Sequence, residues 1–207
     1  MDTSGKKSRS HLQIVPACLG DYQAEVHSAE RWDEEYANGT WDYLENLSEL
    51  ARFSIVVGYC AFYKPKGSIL EVGCGPGILM RRLRVVGYSS YFGVDHSKEA
   101  IERTKGDQNE NTRFEVANAE TFEPSESYDV IIFNEMMYFL TDPKGAFMRC
   151  AKHLRPAGIV IVSMYRADRS LPMWRLLEGA APVLDAVTVI NSIKSLTWDI
   201  KVFGNLK

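Results

Sequence analysis

Short apolar segments alternate with helix-like segments along most of this chain, and this alternation constrains the fold more than any other feature. From about Gly67 onward, apolar runs of strand length alternate with stretches whose apolar residues recur at helical spacing. This order is typical of parallel strands joined by crossover helices that cover both faces of a sheet. The pattern predicts a doubly wound α/β fold, in which ligands bind beyond the carboxyl ends of the strands. The predicted strands are 68–72, 91–94, 113–116, 128–133, 158–164, 186–190 and 196–203.

A glycine-rich turn follows the first predicted strand. The segment reads Leu70-Glu-Val-Gly-Cys-Gly-Pro-Gly77, and a helix-like stretch begins directly after it. Glycines let a ligand approach the backbone and permit unusual φ and ψ angles. A dinucleotide-binding loop needs G-x-G-x-x-G and a P-loop needs a final Gly-Lys-Ser/Thr, but position 78 is isoleucine. The turn therefore predicts a ligand-binding loop that is neither a dinucleotide-binding loop nor a P-loop.

The pattern E-x-G-x-G-x-G resembles motif I of the class I S-adenosylmethionine-dependent methyltransferases. Asp95 ends the second predicted strand, Asn118 follows the third, and segment 129–139 resembles the fourth-strand motif of that family. Segment 154–158, Leu-Arg-Pro-Ala-Gly, resembles its L-x-P-G-G turn with alanine in place of the first glycine. The resemblance extends strongly over 68–164. It implies a Rossmann-like, mostly parallel sheet of seven strands with an antiparallel last strand and, in this chain, an N-terminal helical flank.

The resemblance also implies S-adenosylmethionine as the cofactor and a set of residues that bind it. Glu71 would order the loop and hold the amino group of the cofactor, and Asp95 would accept hydrogen bonds from the ribose hydroxyls. His96 would pack on the adenine ring, and Asn118, where the family usually has aspartate, would meet the adenine edge. The carboxylates of Glu71 and Asp95 could instead only cap backbone amides of a turn or helix. The other implied cofactor-binding residues of the core are Gly73, Cys74, Gly75, Ala119 and Asn134.

Three residues of the N-terminal flank are further candidates for the cofactor site. Tyr36 and Trp41 belong to an aromatic-rich part of the flank and could enclose a sulfonium with their ring faces. Arg52 lies on an amphipathic helix predicted over 47–62 and could pair with a carboxylate of the cofactor. A purely structural role stays open for each of the three.

Glu135 and Tyr138 are the candidate catalytic residues, because they follow the fourth predicted strand at the cleft. Glu135 could take a proton from an amine or hydroxyl nucleophile, or hold a cationic substrate. Tyr138 could line the acceptor pocket. A capping or salt-bridging Glu135 and a packed core Tyr138 stay open as alternatives. His27 and His153 are expected at the surface or in the flank.

Three segments divide the chain, which has 207 residues. The sequence predicts a disordered tail over residues 1–20, a helical flank over 21–66 and the methyltransferase-like core over 67–207. No separate recognition domain fits beside this core, which favours a small-molecule acceptor.

Composition excludes several classes of partner. The 24 Lys and Arg against 27 Asp and Glu give a formal net charge of −3, which argues against a nucleic-acid partner. The four cysteines are far apart and form no cluster at zinc spacing, so we expect reduced thiols, no metal and a cytoplasmic location. No apolar run approaches the ~18 residues of a membrane helix, so no membrane partner is expected. The oligomeric state stays open.

The main functional hypothesis is S-adenosylmethionine-dependent methyl transfer to an N or O atom of a small-molecule acceptor, by in-line attack on the sulfonium methyl. One alternative is a protein methyltransferase. A second is a partner protein that binds S-adenosylmethionine without catalysis. The complete glycine loop and Asp95 favour an enzyme, because degenerate partners often lose one or the other.

Overall fold

The computed structural model describes residues 15–19, 22–24 and 26–204, with side chains described from Val26 onward. Strands β1 (Val15–Leu19) and β2 (Tyr22–Ala24) form an antiparallel pair. We expected a disordered tail through residue 20, and residues 15–19 differ because their backbone pairs with a second strand. The rest of that predicted tail lies outside the described residues.

The main sheet has seven strands within residues 26–204. They are β3 (Lys66–Val72), β4 (Tyr88–Asp95), β5 (Thr112–Val116), β6 (Tyr128–Asn134), β7 (Leu154–Tyr165), β8 (Val183–Asn191) and β9 (Leu196–Phe203). Their order across the sheet is β5-β4-β3-β6-β7-β9-β8. Neighbouring strands from β5 to β7 pair in parallel, whereas β9 is antiparallel to both β7 and β8. The predicted mostly parallel sheet with an antiparallel last strand is confirmed.

Helices cover both faces of this sheet. The α-helices of the described chain are α1 (Ala29–Ala37), α2 (Leu47–Tyr63), α3 (Ile78–Leu83), α4 (Lys98–Glu102), α5 (Pro143–Ala151) and α6 (Ser170–Glu178). Buried residues of α5 and α6 belong to one apolar cluster, and those of α2 and α3 belong to another. Two separate cores are what a doubly wound sheet requires. The predicted flank helix over 47–62 corresponds to α2.

The central strands are apolar on both faces because helices lie on both sides of them. In β6, the side chains from Val130 to Phe133 are all fully buried. Helix α5 begins with a side-chain cap, because Asp142 Oδ1 accepts a 2.8 Å hydrogen bond from the amide of Gly145 and Pro143 occupies the first turn. Helix α1 is capped in the same way by Ser28, whose hydroxyl accepts from the amide of Arg31 at 3.3 Å.

The turn predicted within 154–158 lies inside strand β7. The pairing of β7 with β6 shifts between the partners Tyr128–Leu154 and Val130–Ile159, so the extra residues loop out of register. Ala157 takes a left-handed conformation there, with φ of 58°. Thus a turn exists at the predicted place, but the flanking residues on both sides pair with β6.

Helix lengths bear on membrane association as well. Among the described residues, we found no helix with both the length and the apolar character needed to cross a bilayer.

Candidate functional site

A cavity of about 1060 Å³ opens at the carboxyl ends of the parallel strands, between the sheet and the N-terminal flank. All fourteen residues predicted to bind cofactor or take part in catalysis line it. They are Tyr36, Trp41, Arg52, Glu71, Gly73, Cys74, Gly75, Asp95, His96, Asn118, Ala119, Asn134, Glu135 and Tyr138. The fold thus brings together side chains from both the flank and the core.

The glycine loop after β3 is fixed by the end of the neighbouring strand. The amides of Gly73 and Cys74 both donate to the carbonyl of Val94, at 2.8 and 3.0 Å. Gly73 has a φ of 75°, and a Cβ atom there would lie 2.8 Å from the side chain of Met136. Gly75 has a φ of 52°, and its missing Cβ would lie 2.9 Å from the hydroxyl of Tyr36. Only glycine fits these two positions without strain or collision.

Asp95 holds the loop from the end of β4. Its Oδ2 accepts a 2.8 Å hydrogen bond from the amide of Gly75, and its Oδ1 accepts one of 2.9 Å from the amide of Ser97. Burial raises the pKa of the Asp95 carboxyl, and the hydrogen bonds from the amides of Ser97 and Gly75 oppose that rise. The carboxylate therefore ties the loop to the start of α4 at the cavity surface.

Glu71 is fully buried at the end of β3. Burial raises the pKa of its carboxyl to about 8, against a hydrogen bond from Tyr91 that lowers it. The Tyr91 hydroxyl donates to Glu71 Oε2, and Asn134 also bonds to this carboxyl. A carboxyl with a pKa in this range changes its charge readily when a charged ligand binds nearby.

Arg52 reaches the same region from α2. Its Nε donates to Glu49 Oε2 at 2.7 Å, and its Nη1 donates to Asn134 Oδ1 at 2.9 Å. The guanidinium also lies over the ring of Phe53, with 4.0 Å from Cζ to the ring centroid. A buried carboxylate thus already balances the charge of Arg52, while Asn134 joins Arg52 to Glu71.

Cys74 lies inside the glycine loop and lines the cavity. The thiol is buried and its Sγ lies 3.5 Å from the carbonyl oxygen of Gly75. Burial raises the pKa of this thiol well above its usual range, so the reactive thiolate is disfavoured. Cys74 therefore contributes its backbone to the loop.

Two loops border the cavity on the side of β4 and β5. Asn118 Oδ1 accepts a 2.9 Å hydrogen bond from the amide of Glu120, and the carbonyl of Ala119 accepts from Arg149 at 3.2 Å. The Asn118 side chain is thus occupied by its own turn, with its amide nitrogen the remaining donor. His96 is half-buried at the end of β4.

Glu135 and Tyr138 lie beyond the end of β6. Glu135 has a φ of 61°, an uncommon conformation for a residue with a side chain. Its carboxylate accepts from the Tyr138 hydroxyl at 2.9 Å, from Ser163 Oγ at 2.7 Å and from the amide of Tyr165 at 2.8 Å. The Tyr138 ring in turn lies 4.5 Å from the guanidinium carbon of Arg169. Three donors within the protein therefore hold this carboxylate.

The flank contributes cavity-lining residues that sequence reasoning did not single out. Glu35 accepts from the indole of Trp41 at 3.1 Å and from Arg31 at 2.9 Å. We expected His27 at the surface or in the flank, and it is a flank residue. It is buried between the rings of Trp32 and Phe139, with centroid distances of 4.5 and 5.4 Å. Burial lowers the pKa of His27. Other unpredicted lining residues include Glu49, Arg169, Lys194 and Trp198.

Only Glu49 carried a usable signal, because it precedes Arg52 by three positions on a predicted helix. Nothing in the sequence pattern pointed to the others, since the packing of distant segments brings them to the cavity. Groups of three or more His, Cys, Asp or Glu arranged to hold a metal ion are absent from the described residues. The expectation that no metal is used stays a prediction.

With this geometry in place, comparison with known proteins decides the family. A family model described as a methyltransferase domain matches residues 35–204. The chain belongs to the class I S-adenosylmethionine-dependent methyltransferases. The family inferred from the glycine motif is therefore confirmed.

Two curated methyltransferases show the extent of the sequence similarity. The chain is 29% identical over 132 residues to malonyl-[acyl-carrier protein] O-methyltransferase 2 of Ilyobacter polytropus, covering 62% of this chain and 51% of that protein. It is 30% identical over 141 residues to a ubiquinone biosynthesis O-methyltransferase of Proteus mirabilis, covering 65% of this chain and 54% of that protein. The chain thus spans about half the length of these relatives.

A solved methyltransferase shares the fold over most of its length. The N-methyltransferase NodS from Bradyrhizobium japonicum, in complex with S-adenosyl-L-homocysteine, aligns with a TM-score of 0.74 and 18% identity. The alignment covers 86% of this chain and 98% of NodS. At this level of identity the similarity establishes the fold and leaves the acceptor open.

Proposed function

We propose that this methyltransferase-family protein transfers a methyl group from S-adenosylmethionine to an N or O atom of a small-molecule acceptor. The observation that supports the proposal most is the shared cavity, which the fourteen predicted residues line and whose glycine loop is tied to Asp95. A ligand in this cavity would lie beyond the carboxyl ends of the strands, the usual ligand position in this fold class.

The residues of the cavity fit S-adenosylmethionine in shape and charge. Gly73 and Gly75 leave backbone exposed where side chains would project, and Asp95 offers a carboxylate at the position suited to ribose hydroxyls. Glu71 and Asp95 add acidic groups beside Arg52, whose own charge Glu49 balances. The Glu71 carboxyl, with a pKa of about 8, keeps its proton at neutral pH and can release it when a positively charged ligand binds beside it, which suits S-adenosylmethionine.

Bound S-adenosylmethionine supplies an activated methyl group, because its positively charged sulfur becomes a neutral thioether on transfer. The protein then has to bind, orient and exclude water. Asp95 and the glycine loop would fix the nucleoside, while Glu71 and Asn134 would face the amino acid end. Tyr36 and Trp41 would close the cavity from the flank.

The contacts of Glu135 support a positioning role more than proton removal. Its carboxylate already accepts from Tyr138, Ser163 and Tyr165, which uses much of its capacity to accept a further proton or hydrogen bond. We therefore propose that Glu135 fixes Tyr138 and Tyr165 in the wall of the acceptor pocket. A base is needed only for an acceptor that must lose a proton.

The relatives support both acceptor atoms. The curated relatives named above are O-methyltransferases, whereas NodS is an N-methyltransferase. The cavity volume of about 1060 Å³ accommodates a cofactor and a small acceptor together, because typical ligand sites occupy roughly 300–1,000 Å³.

Calorimetry with S-adenosylmethionine tests the cofactor half of the proposal. The wild-type protein should bind, and Asp95→Ala should weaken binding at least ~10-fold, because the loop loses its tie to β4. Asp33→Ala is the matched control: Asp33 also accepts from Ser97, through its hydroxyl at 2.6 Å, but does not line the cavity. The affinity of this control variant for S-adenosylmethionine should stay within ~2-fold of the wild type. Absence of binding by the wild-type protein would refute the proposal.

A turnover screen tests the acceptor half. Amine, phenol and carboxylate libraries are incubated with S-adenosylmethionine, and formation of S-adenosylhomocysteine is measured. Turnover by small molecules supports the proposal, whereas turnover only with protein acceptors favours a protein methyltransferase. Tight cofactor binding without turnover on any class favours a non-catalytic binding protein.

A further inference from the structure

Helix α2 carries its charged residues inward and its apolar residues outward. Glu49 and Arg52 are its two charged residues, and their exposed fractions are only 3% and 1%. Leu47 and Phe62 on the outer side are 82% and 78% exposed. A helix at a protein surface ordinarily has the opposite distribution, with its charged residues in water. An outward apolar face of this kind indicates an interaction surface.

The middle of this outer face is made of small side chains. Ala51, Ser54 and Gly58 are exposed and lie between Leu47 and Phe62. A Cβ atom added to Gly58 would meet nothing within 4 Å. Small residues at the centre let a second helix approach to the 8–10 Å axis separation of packed helices.

Strand β8 forms an edge of the main sheet, and no other strand in the described part of the chain pairs with its outer side. It has nine residues, of which Asp185 is the only charged one. The opposite edge, β5, has five residues and includes the charged Arg113 and Glu115. Short, charged edge strands resist pairing with other chains, whereas long uncharged ones invite it. By this criterion β5 is a protected edge of the sheet and β8 is an open one.

The outer face of α2 and the edge of β8 belong to one surface. The hydroxyl of Tyr59 donates to Asp185 Oδ2 at 3.0 Å, and Nδ2 of Asn191 donates to the carbonyl of Ser48 at 3.3 Å. These two contacts join opposite ends of the helix to opposite ends of the strand. The helix therefore runs alongside the edge strand in the opposite direction for most of its length.

We propose that a second copy of this chain docks on this surface. The two β8 strands would pair antiparallel about a two-fold axis, and the two α2 helices would pack against each other beside them. In such a contact, residues near the axis meet their own copies, so a charge there would face a like charge. Helix α2 exposes no charged residue and β8 contains only one, so two copies can meet here without placing like charges against each other.

The dimensions of the surface agree with a dimer. A strand of nine residues is roughly 30 Å long, and a helix of 17 residues about 25 Å. A strand edge with a helix layer beside it is about 20 Å deep, which gives a footprint on the order of 600 Å² per copy. This lies at the lower end of the roughly 600–1,000 Å² per partner of standard interfaces.

Sedimentation velocity of the full chain over a concentration series tests the proposal. The wild-type protein should sediment as a dimer. Gly58→Glu should raise the dimer dissociation constant at least ~100-fold, because two buried carboxylates would meet near the axis. Ala186→Lys, on the exposed side of β8, should also weaken the dimer. Gly106→Glu is the matched control, because its Cβ also meets nothing within 4 Å and the site lies outside the surface.

Circular dichroism and S-adenosylmethionine calorimetry of the same variants report whether each is folded. A wild-type monomer at ~100 µM, the upper range of typical weak dimers, would overturn the proposal. A dimer that neither Gly58→Glu nor Ala186→Lys weakens would overturn it too, because the contact would then lie elsewhere. Hydrogen exchange gives a direct check: amides of β8 should become better protected as the concentration rises, and those of β5 should not. The proposal rests on the surface alone, so it stands or falls independently of methyl transfer.

Discussion

The backbone amide of Gly75 donates a 2.8 Å hydrogen bond to Oδ2 of Asp95, which lies 20 positions further along the chain. The other carboxylate oxygen of Asp95 accepts from the amide of Ser97 at the start of α4. One side chain therefore connects the glycine loop after β3 with the helix after β4. The glycine loop and the start of α4 together fix the position of the Asp95 carboxylate. A ligand that binds to Asp95 therefore meets a preorganised group.

Gly73 should be the most sensitive position of the loop. In Gly73→Ala, the new methyl group would lie 2.8 Å from Met136 and the backbone would keep a φ of 75°. We expect the free energy of unfolding to fall by about 2–4 kcal/mol, because collision and backbone strain add. Affinity for S-adenosylmethionine should fall at least ~10-fold in calorimetry, because the loop must shift.

Gly87→Ala separates strain from collision. Gly87 has nearly the same φ, 79°, but the nearest atom to its missing Cβ is Lys66 Cγ at 3.9 Å. This variant should lose about 1 kcal/mol of stability and bind S-adenosylmethionine like the wild type. Equal losses of affinity in both variants would contradict a specific role for Gly73.

Local sequence signals predicted the part of the site that lies on the sheet. The strand before Gly73, the turn and the position of Asp95 depend on glycine conformations and apolar runs, which short segments encode. The resemblance to the methyltransferase family added the mostly parallel sheet with an antiparallel last strand, which the strand pairings confirm.

Signals of this kind could not predict contacts between distant segments. The donors that hold Glu135 come from Ser163 and Tyr165, so they depend on the register between β6 and β7. His27 enters the cavity wall because α1 docks over the site, which no periodicity within the flank specifies. The pairing of β1 with β2 was likewise missed, since short strands with few residues give little pattern.

Ala157 should be a position where glycine stabilises the protein. Its φ of 58° lies in the left-handed region, where glycine pays no steric penalty. Ala157→Gly should raise the free energy of unfolding by about 0.5–1 kcal/mol. This is the net of two contributions, because relief of the strain stabilises the folded state while the greater entropy of a glycine stabilises the unfolded state. Urea denaturation measures the change. Ala151→Gly, at the end of α5, should have the opposite sign, because glycine is unfavourable in a helix; the same sign in both would contradict the strain explanation.

Glu71 should make stability depend on pH in neutral solution. Its carboxyl has a pKa of about 8 in the folded protein, against a usual value of 4.5. Between these two pH values the unfolded state is ionised while the folded state keeps the proton. The contribution of Glu71 is therefore fully present below pH 4.5 and is lost as the pH rises to about 8. We expect a loss of roughly 3–5 kcal/mol across this window, measured by urea denaturation at a series of pH values.

Glu71→Gln is the variant that isolates this effect. Glutamine can still accept the hydrogen bond from Tyr91 but does not titrate. The variant should be more stable than the wild type at pH 8, with a flatter stability profile between pH 5 and 8. Parallel profiles for the two proteins would show that Glu71 does not carry the dependence.

The ion pair of Glu49 and Arg52 should be strongly coupled. Both side chains are buried and their charged atoms are 2.7 Å apart, so removing one partner leaves an uncompensated charge in the core. Glu49→Gln and Arg52→Met should each lower the free energy of unfolding by about 2–4 kcal/mol in urea denaturation. The double variant should lose at least ~2 kcal/mol less than the two single losses added together. Strict additivity would mean that each residue acts through other contacts, such as the 2.9 Å hydrogen bond from Arg52 to Asn134.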